Sequence, residues 1–335
     1  MVVRMNGSNK TKIESILQVL HKLQRPLTGS QIAEVLTSQG EEISERTVRL
    51  YLQKCDEAGY TEPVGKQGRT ITAKGIQYLE SGNIIQRLGY MSSKIDRMTY
   101  AMTFDLALRR GTVIINLAIL GKEVFRSRLA EVHQVFEQGY AMGTLVGLLR
   151  PGDQLGNMVI PPEHVGFCTV CSVTLNGVLL KHGIPTRSLF SGLLEIENHR
   201  PSRFVELISY DGTTVDPLQL FIKGRMTDYL GTIRTGYGKI GAGFREIPEE
   251  SYELALDLAD KLTQVGLGAF MHIGLPSQDV LNIPVQQGCC GVIVVGGLNP
   301  LAIFEETGVP VQQYALAGLM EFHQLFPYYE LKNKL

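Results

Sequence analysis

The 335-residue sequence predicts an α/β (α+β) protein in two parts: a small helical domain closed by a hairpin, and a larger mixed unit built twice over. Three observations carry this reading. Ile43 to Gly59 has the pattern of a short helix with one apolar stripe and one basic face. Two further helical patterns and two short β-rich runs surround it. Beyond residue 96, short residue groups return in the same order at nearly one offset.

Taken in order, Ile13, Ile16, Leu17 and Leu20 mark a first amphipathic helix that ends before Pro26. Thr28-Gly-Ser-Gln31 is a capping box that opens a second helix, with Ile32, Val35 and Leu36 on one face and Gly40 placed to end it. Ser44 caps the third helix, because its hydroxyl can accept an orphan backbone N–H of the first turn. Gly59 suits the left-handed residue after the helix end. Between them Val48, Tyr51, Leu52 and Cys55 fall at i, i+3, i+4 and i+7, a single apolar stripe. Arg46, Arg49, Leu50 and Gln53 lie opposite, with Thr47 and Lys54 on the flank. Tyr60–Val64 and Arg69–Thr72 read as strands turned by Gly65-Lys-Gln-Gly68, and Thr72 caps a last helix through Tyr78 and Leu79.

Three helices and a basic-tipped hairpin describe a winged helix-turn-helix over residues 1–82. Ser44, Arg46, Thr47, Arg49 and Gln53 are its candidates for base edges or phosphates, with Lys66 and Arg69 reaching the backbone or minor groove from the wing. A winged helix used for protein contacts is the other reading. Arg and Lys at both the helix start and the wing tip favour duplex DNA.

Charge agrees in sign. Residues 1–90 hold twelve Lys and Arg against nine Asp and Glu, and the remainder holds twenty against twenty-four. Hydrophobic residues make up 44% and charged residues 19%, the balance of a soluble globular chain. Five cysteines in this length make no disulfide framework, and a reducing cytoplasm is expected. The start is polar, without a signal peptide, and the longest apolar run, around Gly288 to Phe304, is broken by Gly, Asn and Pro. No membrane association is expected.

After a linker at 83–96, the expected copies are residues 97–222 and 223–335. Arg97-Met-Thr returns at Arg225, Gly111 at Gly238, and Gly139…Gly147-Leu148 at Gly266…Gly274-Leu275. Ile160-Pro161 returns at Ile283, Leu175-Asn176 at Leu298-Asn299, Gly183-Ile-Pro at Gly308, and Gly192-Leu-Leu-Glu at Gly318. Seven ordered matches with offsets of 123 to 128 make chance a poor explanation. The first copy reads as strand 112–119, helix 126–138, strand 144–149, strand 167–174 and helix 178–182. The second reads as strand 239–244, helix 248–262, strands 269–273 and 291–295, and helix 300–307. Two such copies should pack about a pseudo-twofold axis with a cleft between them.

Cys168-x-x-Cys171 invites a metal or redox reading, yet no second pair stands at ligand spacing and the seven histidines are scattered. Two buried or cleft-lining cysteines on a strand fit better. No Walker loop, dinucleotide fingerprint in strand context or nucleophile elbow is present, so no catalysis, metal or cofactor is expected. Recognition of a small anion is expected instead. Thr169, Cys171, Ser172, Thr174 and Asn176 alternate along the strand-like run. Thr186, Arg187 and Ser188 follow Pro185 at an apparent helix start, where backbone N–H groups and a guanidinium suit a carboxylate. The matching Val311, Gln312 and Gln313 lack a cation. On the alternative reading Arg187 is a surface residue and the hydroxyls are ordinary strand residues.

The order of winged helix, linker and then Gly-Phe-Cys-Thr-Val-Cys-Ser-Val-Thr-Leu-Asn-Gly-Val-Leu-Leu-Lys-His-Gly-Ile-Pro (166–185), with Val-Val-Gly-Gly-Leu-Asn-Pro (294–300), resembles the NrpR family of archaeal nitrogen-regulation repressors over nearly the whole chain. The resemblance implies a homodimeric transcriptional repressor of nitrogen-assimilation genes that binds operator duplex DNA. It implies 2-oxoglutarate as the inducer, and it associates Thr169 to Thr174 with the effector response. Some members carry two regulatory domains in tandem. This chain shows one, and so resembles the split kind that works with a second NrpR-family subunit. A second reading, an enzyme fused to a DNA-binding module and acting on the small acid it binds, would be favoured by acid/base groups gathered in the cleft.

Overall fold

The computed structural model describes residues 7–38, 43–81, 90–156, 158–309 and 311–335. The chain divides into two units, Met1–Arg87 and Leu88–Leu335.

In the first unit, α1 (Gly7–Leu23), α2 (Gly29–Ser38) and α3 (Glu45–Glu57) precede a hairpin of β1 (Thr61–Pro63) and β2 (Arg69–Ile71), and α4 (Ala73–Ser81) closes it. This is a winged helix-turn-helix. Ile16, Leu17, Leu20, Leu27, Ile32, Leu36, Val48, Leu52 and Cys55 form its dry core. The capping box is made: the Thr28 N–H donates to Gln31 Oε1 at 2.9 Å, and the Gln31 N–H to Thr28 Oγ1 at 3.4 Å. Thr72 Oγ1 caps α4 by accepting the Gly75 N–H at 3.1 Å. Leu27 pairs by backbone with Arg69 in an isolated antiparallel bridge beside the hairpin. A Cβ on Gly68, which sits at φ +114°, would collide with the Leu27 carbonyl, so glycine is required there. Gly40, expected to end α2, lies outside the described residues.

The second unit begins with α5 (Tyr90–Ala101), then β3 (Thr112–Gly121), α6 (Lys122–Ser127), α7 (Leu129–Glu137) and β4 (Leu145–Leu149). A small ribbon of β5 (Gln154–Leu155) and β6 (Met158–Val159) leads to β7 (His164–Val170), α8 (Val173–Lys181), β8 (Arg187–Glu197) and β9 (Arg200–Ser209). The second pass runs α9 (Pro217–Lys223), α10 (Tyr229–Thr235), β10 (Gly238–Pro248), α11 (Tyr252–Gln264), β11 (Phe270–Ile273), β12 (Cys289–Val295), α12 (Asn299–Glu306), β13 (Gln312–Glu321), β14 (Phe326–Pro327) and α13 (Leu331–Lys334).

These strands form two five-stranded antiparallel sheets, ordered β13-β3-β7-β4-β14 and β9-β8-β10-β12-β11. The orders β13-β3-β7-β4 and β8-β10-β12-β11 are the same path traced twice. The fourth strand is exchanged, however: β8 leaves the first half to pair with β10, and β13 leaves the second half to pair with β3. The divisions expected at 97–222 and 223–335 are therefore not self-contained sheets. The hydrogen bonds also correct the alignment of the repeats. The Cys171 N–H donates to the Ile114 carbonyl, and the Gly296 N–H to the Gly241 carbonyl. Cys171 thus corresponds to Gly296 and Thr174 to Asn299, and the Leu175-Asn176 match with Leu298-Asn299 is out of register.

Four further expectations change. Residues 90–96 belong to α5, with Met91 and Ile95 in the core, rather than to a linker; the Met-Ile spacing is an amphipathic stripe. The helix expected over 126–138 breaks at Arg128 into α6 and α7. The strand expected through Thr174 ends at Val170, and α8 starts at Val173. Residues 187–188 open a strand, not a helix.

The two strand-to-helix turns, after β7 and after β12, meet. A Cβ on Gly297 would strike the Val170 carbonyl and crowd Asn116. Gly297→Ala is accordingly expected to cost about 1–3 kcal/mol of stability, measured by urea denaturation. Gly212→Ala, with open space around it, serves as the near-neutral control.

Candidate functional site

On α3, Ser44 Oγ accepts the Thr47 N–H at 3.2 Å and so caps the helix. Val48, Tyr51, Leu52 and Cys55 are buried, and burial pushes the Cys55 thiol up to about 12. The stripe fixes the opposite face, where Arg46, Arg49, Leu50 and Gln53 are exposed and Thr47 and Lys54 half-buried. The Arg49 guanidinium donates to Glu45 at 2.6 Å, one turn back. An exposed pair of this kind is worth little and opens readily for another anion. Lys66 is exposed at the wing tip between Val64 and Gly68, whose backbones bond at 2.8 Å. Arg69 differs from expectation. Its Nε donates to Asp56 Oδ2 at 2.6 Å, and Thr61 Oγ1 donates to Asp56 Oδ1 at 2.5 Å. Arg69 is thus a tie between the end of α3 and the wing.

In the regulatory unit the expected polar residues separate into two groups. Thr169 and Thr174 are consumed by structure. Thr169 Oγ1 donates to the Gly297 carbonyl at 2.6 Å, which joins the two turns. Thr174 Oγ1 donates to the Ile114 carbonyl and accepts the Ile114 N–H, both at 3.1 Å, which pins α8 to β3. The other group is Cys171, Ser172, Asn176 and Ser188. Asn176 Nδ2 donates to Ser188 Oγ at 2.9 Å, while its Oδ1 is buried without a partner.

Arg187 is not with them. Side chains alternate along a strand. The β8–β10 register pairs Ser188 with Arg245 and Arg187 with Glu246, so the two pairs face opposite ways. Arg187 is 64% exposed and lies 3.7 Å from Glu246, which is buried and also accepts the Gln286 N–H at 2.9 Å. Its charge is already answered, and the helix start that was to supply N–H donors beside it is a strand.

The cation facing Ser172, Cys171 and Ser188 is Arg245, 3% exposed. Its Nη2 donates to Ser172 Oγ at 3.1 Å, and its Nη1 has no partner. Among the described residues no carboxylate pairs with it. Burial pulls its guanidinium down, and its charged neighbours would be Tyr210 and Cys171. Both are neutral: burial raises the Tyr210 hydroxyl, which shares a hydrogen bond with Ser191, and pushes the Cys171 thiol up to about 12. Asp216, near Tyr210 and Cys171, caps α9 by accepting the Gln219 N–H at 3.1 Å. Burial raises its carboxyl, opposed by that N–H, the Leu218 N–H and Lys94. Among the described residues the Arg245 guanidinium therefore has no carboxylate in contact with it. Sequence reading missed Arg245, although a signal was present: Ile240-Gly-Ala-Gly-Phe-Arg-Glu-Ile247 is apolar at both ends of a strand. A charge inside a strand buried on both faces is a buried charge.

Among the described residues no helix is long and apolar enough to cross a membrane, and no group of three or more His, Cys, Asp or Glu could hold a metal ion.

The family model of the NrpR regulatory domains NRD1 and 2 matches residues 88–326. The chain belongs to the NrpR family. The global nitrogen regulator NrpRI of Methanosarcina mazei is 33% identical over 96% of this chain and 99% of its own length. The global nitrogen regulators NrpR of Methanocaldococcus jannaschii and Methanococcus maripaludis are 31% and 32% identical over 94% and 92% of this chain. The chain spans about half, 54%, of each of those two. The crystal structure of a nitrogen repressor-like protein from Methanococcus jannaschii superposes with a TM-score of 0.60 at 26% identity, covering 70% of this chain and 97% of that one. Residues 14–79, outside the NrpR regulatory region, match the ribonuclease R winged-helix domain.

Ser44→Ala is expected to cost the winged helix about 1 kcal/mol. Arg69→Ala should lower the thermal midpoint of the same unit, because it leaves Asp56 half-buried without its cation, whereas Lys66→Ala should not; calorimetry of the full chain separates them. Asp216→Asn keeps the cap. A carboxyl raised by burial favours the folded state only while protonated, so its contribution is lost as pH rises from the ordinary 3.8 through the raised value. The thermal midpoint of Asp216→Asn should gain on the parent's across that rise.

Proposed function

We propose that the chain is a DNA-binding transcriptional repressor of nitrogen-assimilation genes, and that 2-oxoglutarate releases it from its operator. The observation that carries the effector half is Arg245, a buried cation with a free Nη1 and no carboxylate partner. Burying an unpaired charge is costly. A carboxylate ligand that takes Nη1, with Ser172, Asn176 and Ser188 as neighbouring hydrogen-bonding groups, would neutralise it. The names of the three global nitrogen regulators and the family match support the regulatory half. Thr169 to Thr174 then act through the turn that holds Ser172 rather than as ligand contacts throughout.

The DNA half rests on the exposed face of α3. Arg46, Arg49 and Gln53 follow the capped start that a major-groove helix presents, with Thr47 beside them and Lys66 on the wing. One winged helix reads few base pairs, so the repressor acts as a homodimer on a two-fold operator. Among the described residues gathered at Arg245 there is no histidine, and Asp216, the nearby acid, is engaged as the cap of α9, which favours a sensor over an enzyme.

Arg46→Ala or Arg49→Ala should cost about 1–3 kcal/mol in operator binding where the residue reads a base, whereas Lys66→Ala should weaken all duplex sequences alike. Arg245→Met should weaken 2-oxoglutarate binding tenfold or more while preserving operator affinity without ligand and leaving the thermal midpoint level or higher. A large fall in that midpoint would make Arg245 a structural residue. By reciprocity, operator DNA must weaken the ligand by the factor by which the ligand weakens DNA. Isothermal titration with and without operator reads it, and equal affinities would rule out the gated mechanism.

A further inference from the structure

We infer that Lys94, on α5, is the second cationic pole of the effector site and makes it select dicarboxylates over monocarboxylates. This rests on the effector reading above.

The argument starts from α5. Its inward stripe is Met91, Ile95, Met98 and Met102, all packed in the core of the unit. Lys94 stands on that stripe, one turn from Met91 and Met98, where an apolar residue would be the ordinary choice. It is half-buried, and its Nζ donates to a single described acceptor, the Ala315 carbonyl, at 3.0 Å. The helix packs along α8 and on the turn Tyr210–Gly212, and the Met91 N–H reaches the Thr213 carbonyl at 3.5 Å. Direction places Lys94 further. Met102 meets Gly177 in α8. Two helical turns earlier on α5, Lys94 comes to the start of α8, where Cys171 and Ser172 lie. Cys171 and Asp216 are both within its electrostatic reach, and Cys171 is likewise a neighbour of Arg245.

The charge balance then fits one class of ligand. Arg245 is cationic and unpaired. Lys94 has only a carbonyl, and burial disfavours its charge. Among the described residues Asp216 is the carboxylate within reach of Lys94, and burial disfavours its ionised form as well. With Asp216 protonated, the form that burial favours, the two cations balance a dianion, one carboxylate on each cation. A monocarboxylate would satisfy Arg245 and leave Lys94 as it stands.

The test compares 2-oxoglutarate with 2-oxopentanoate, which has the same chain and lacks the second carboxylate. Both are titrated calorimetrically into the full chain, the Lys94→Met variant, which keeps the apolar stem, and Lys94→Gln. The parent is expected to prefer 2-oxoglutarate at least tenfold. Both variants should lose most of that preference through weaker 2-oxoglutarate binding, with 2-oxopentanoate unchanged. A parent preference that survives in either folded variant, or an equal loss for both acids, overturns the inference and leaves the effector reading standing. A parent that binds neither acid overturns both.

Discussion

Each sheet of the regulatory unit takes its fourth strand from the other half of the chain, and most of what the unit can do depends on that exchange. The β8–β10 register sets Ser188 beside Arg245, and the irregular stretch of β13 between Tyr314 and Gly318 holds the Ala315 carbonyl that accepts from Lys94. Neither half holds the whole cluster around Arg245. The turn carrying Cys171 and Ser172 comes from the first half, Arg245 from the second, and the Thr169 hydroxyl ties the two turns through the Gly297 carbonyl. A long-range pairing of this kind makes the two sheets one cooperative object, because losing β13 strips an edge from the first sheet and losing β8 takes β9 with it from the second.

The electrostatics of the cluster follow from dryness rather than from any one contact. Burial holds the Cys171 thiol and the Tyr210 hydroxyl neutral and disfavours the Asp216 carboxylate, so none of the polar groups around Arg245 answers its charge well. A protein selected only for stability would fill such a place with an apolar residue or a paired one. Arg187, a few residues away in space on the opposite face of the same strands, shows the ordinary solution: it is exposed at its tip and set against Glu246. The contrast between these two arginines separates a held charge from a satisfied one.

Much of the winged helix was legible because its signals are local. The Thr28 and Ser44 caps, the stripe from Val48 to Cys55 and the Gly65–Gly68 turn each specify their own few residues. In the regulatory unit the repeat was legible, but the exchange was not, since an offset between matching residues says nothing about which sheet a strand joins. The residues of the proposed effector site were the least legible. Val173 to Lys181 is apolar nearly all round, so its β-branched start reads as the end of a strand, and helix periodicity is invisible in a segment buried on all sides. Arg187 was selected and Arg245 overlooked because which face of β8 meets β10 is a register, decided by pairing partners far away in the chain. Arg69 has the same lesson at smaller scale: its basic charge fitted the wing, while Asp56, thirteen residues earlier, had already engaged it.

The pseudo-symmetry has a last consequence. Arg245 corresponds to Ala118, and Ser188 to Gln313, in the two superimposable registers. The mirrored place therefore has no guanidinium to offer, and on the proposed effector reading the duplication leaves one ligand per chain instead of two. In a dimer of such chains the steepest possible dose response is that of two coupled sites, a Hill coefficient of about two. The chain would thus report its metabolite as a graded level across a broad concentration range rather than as an abrupt threshold.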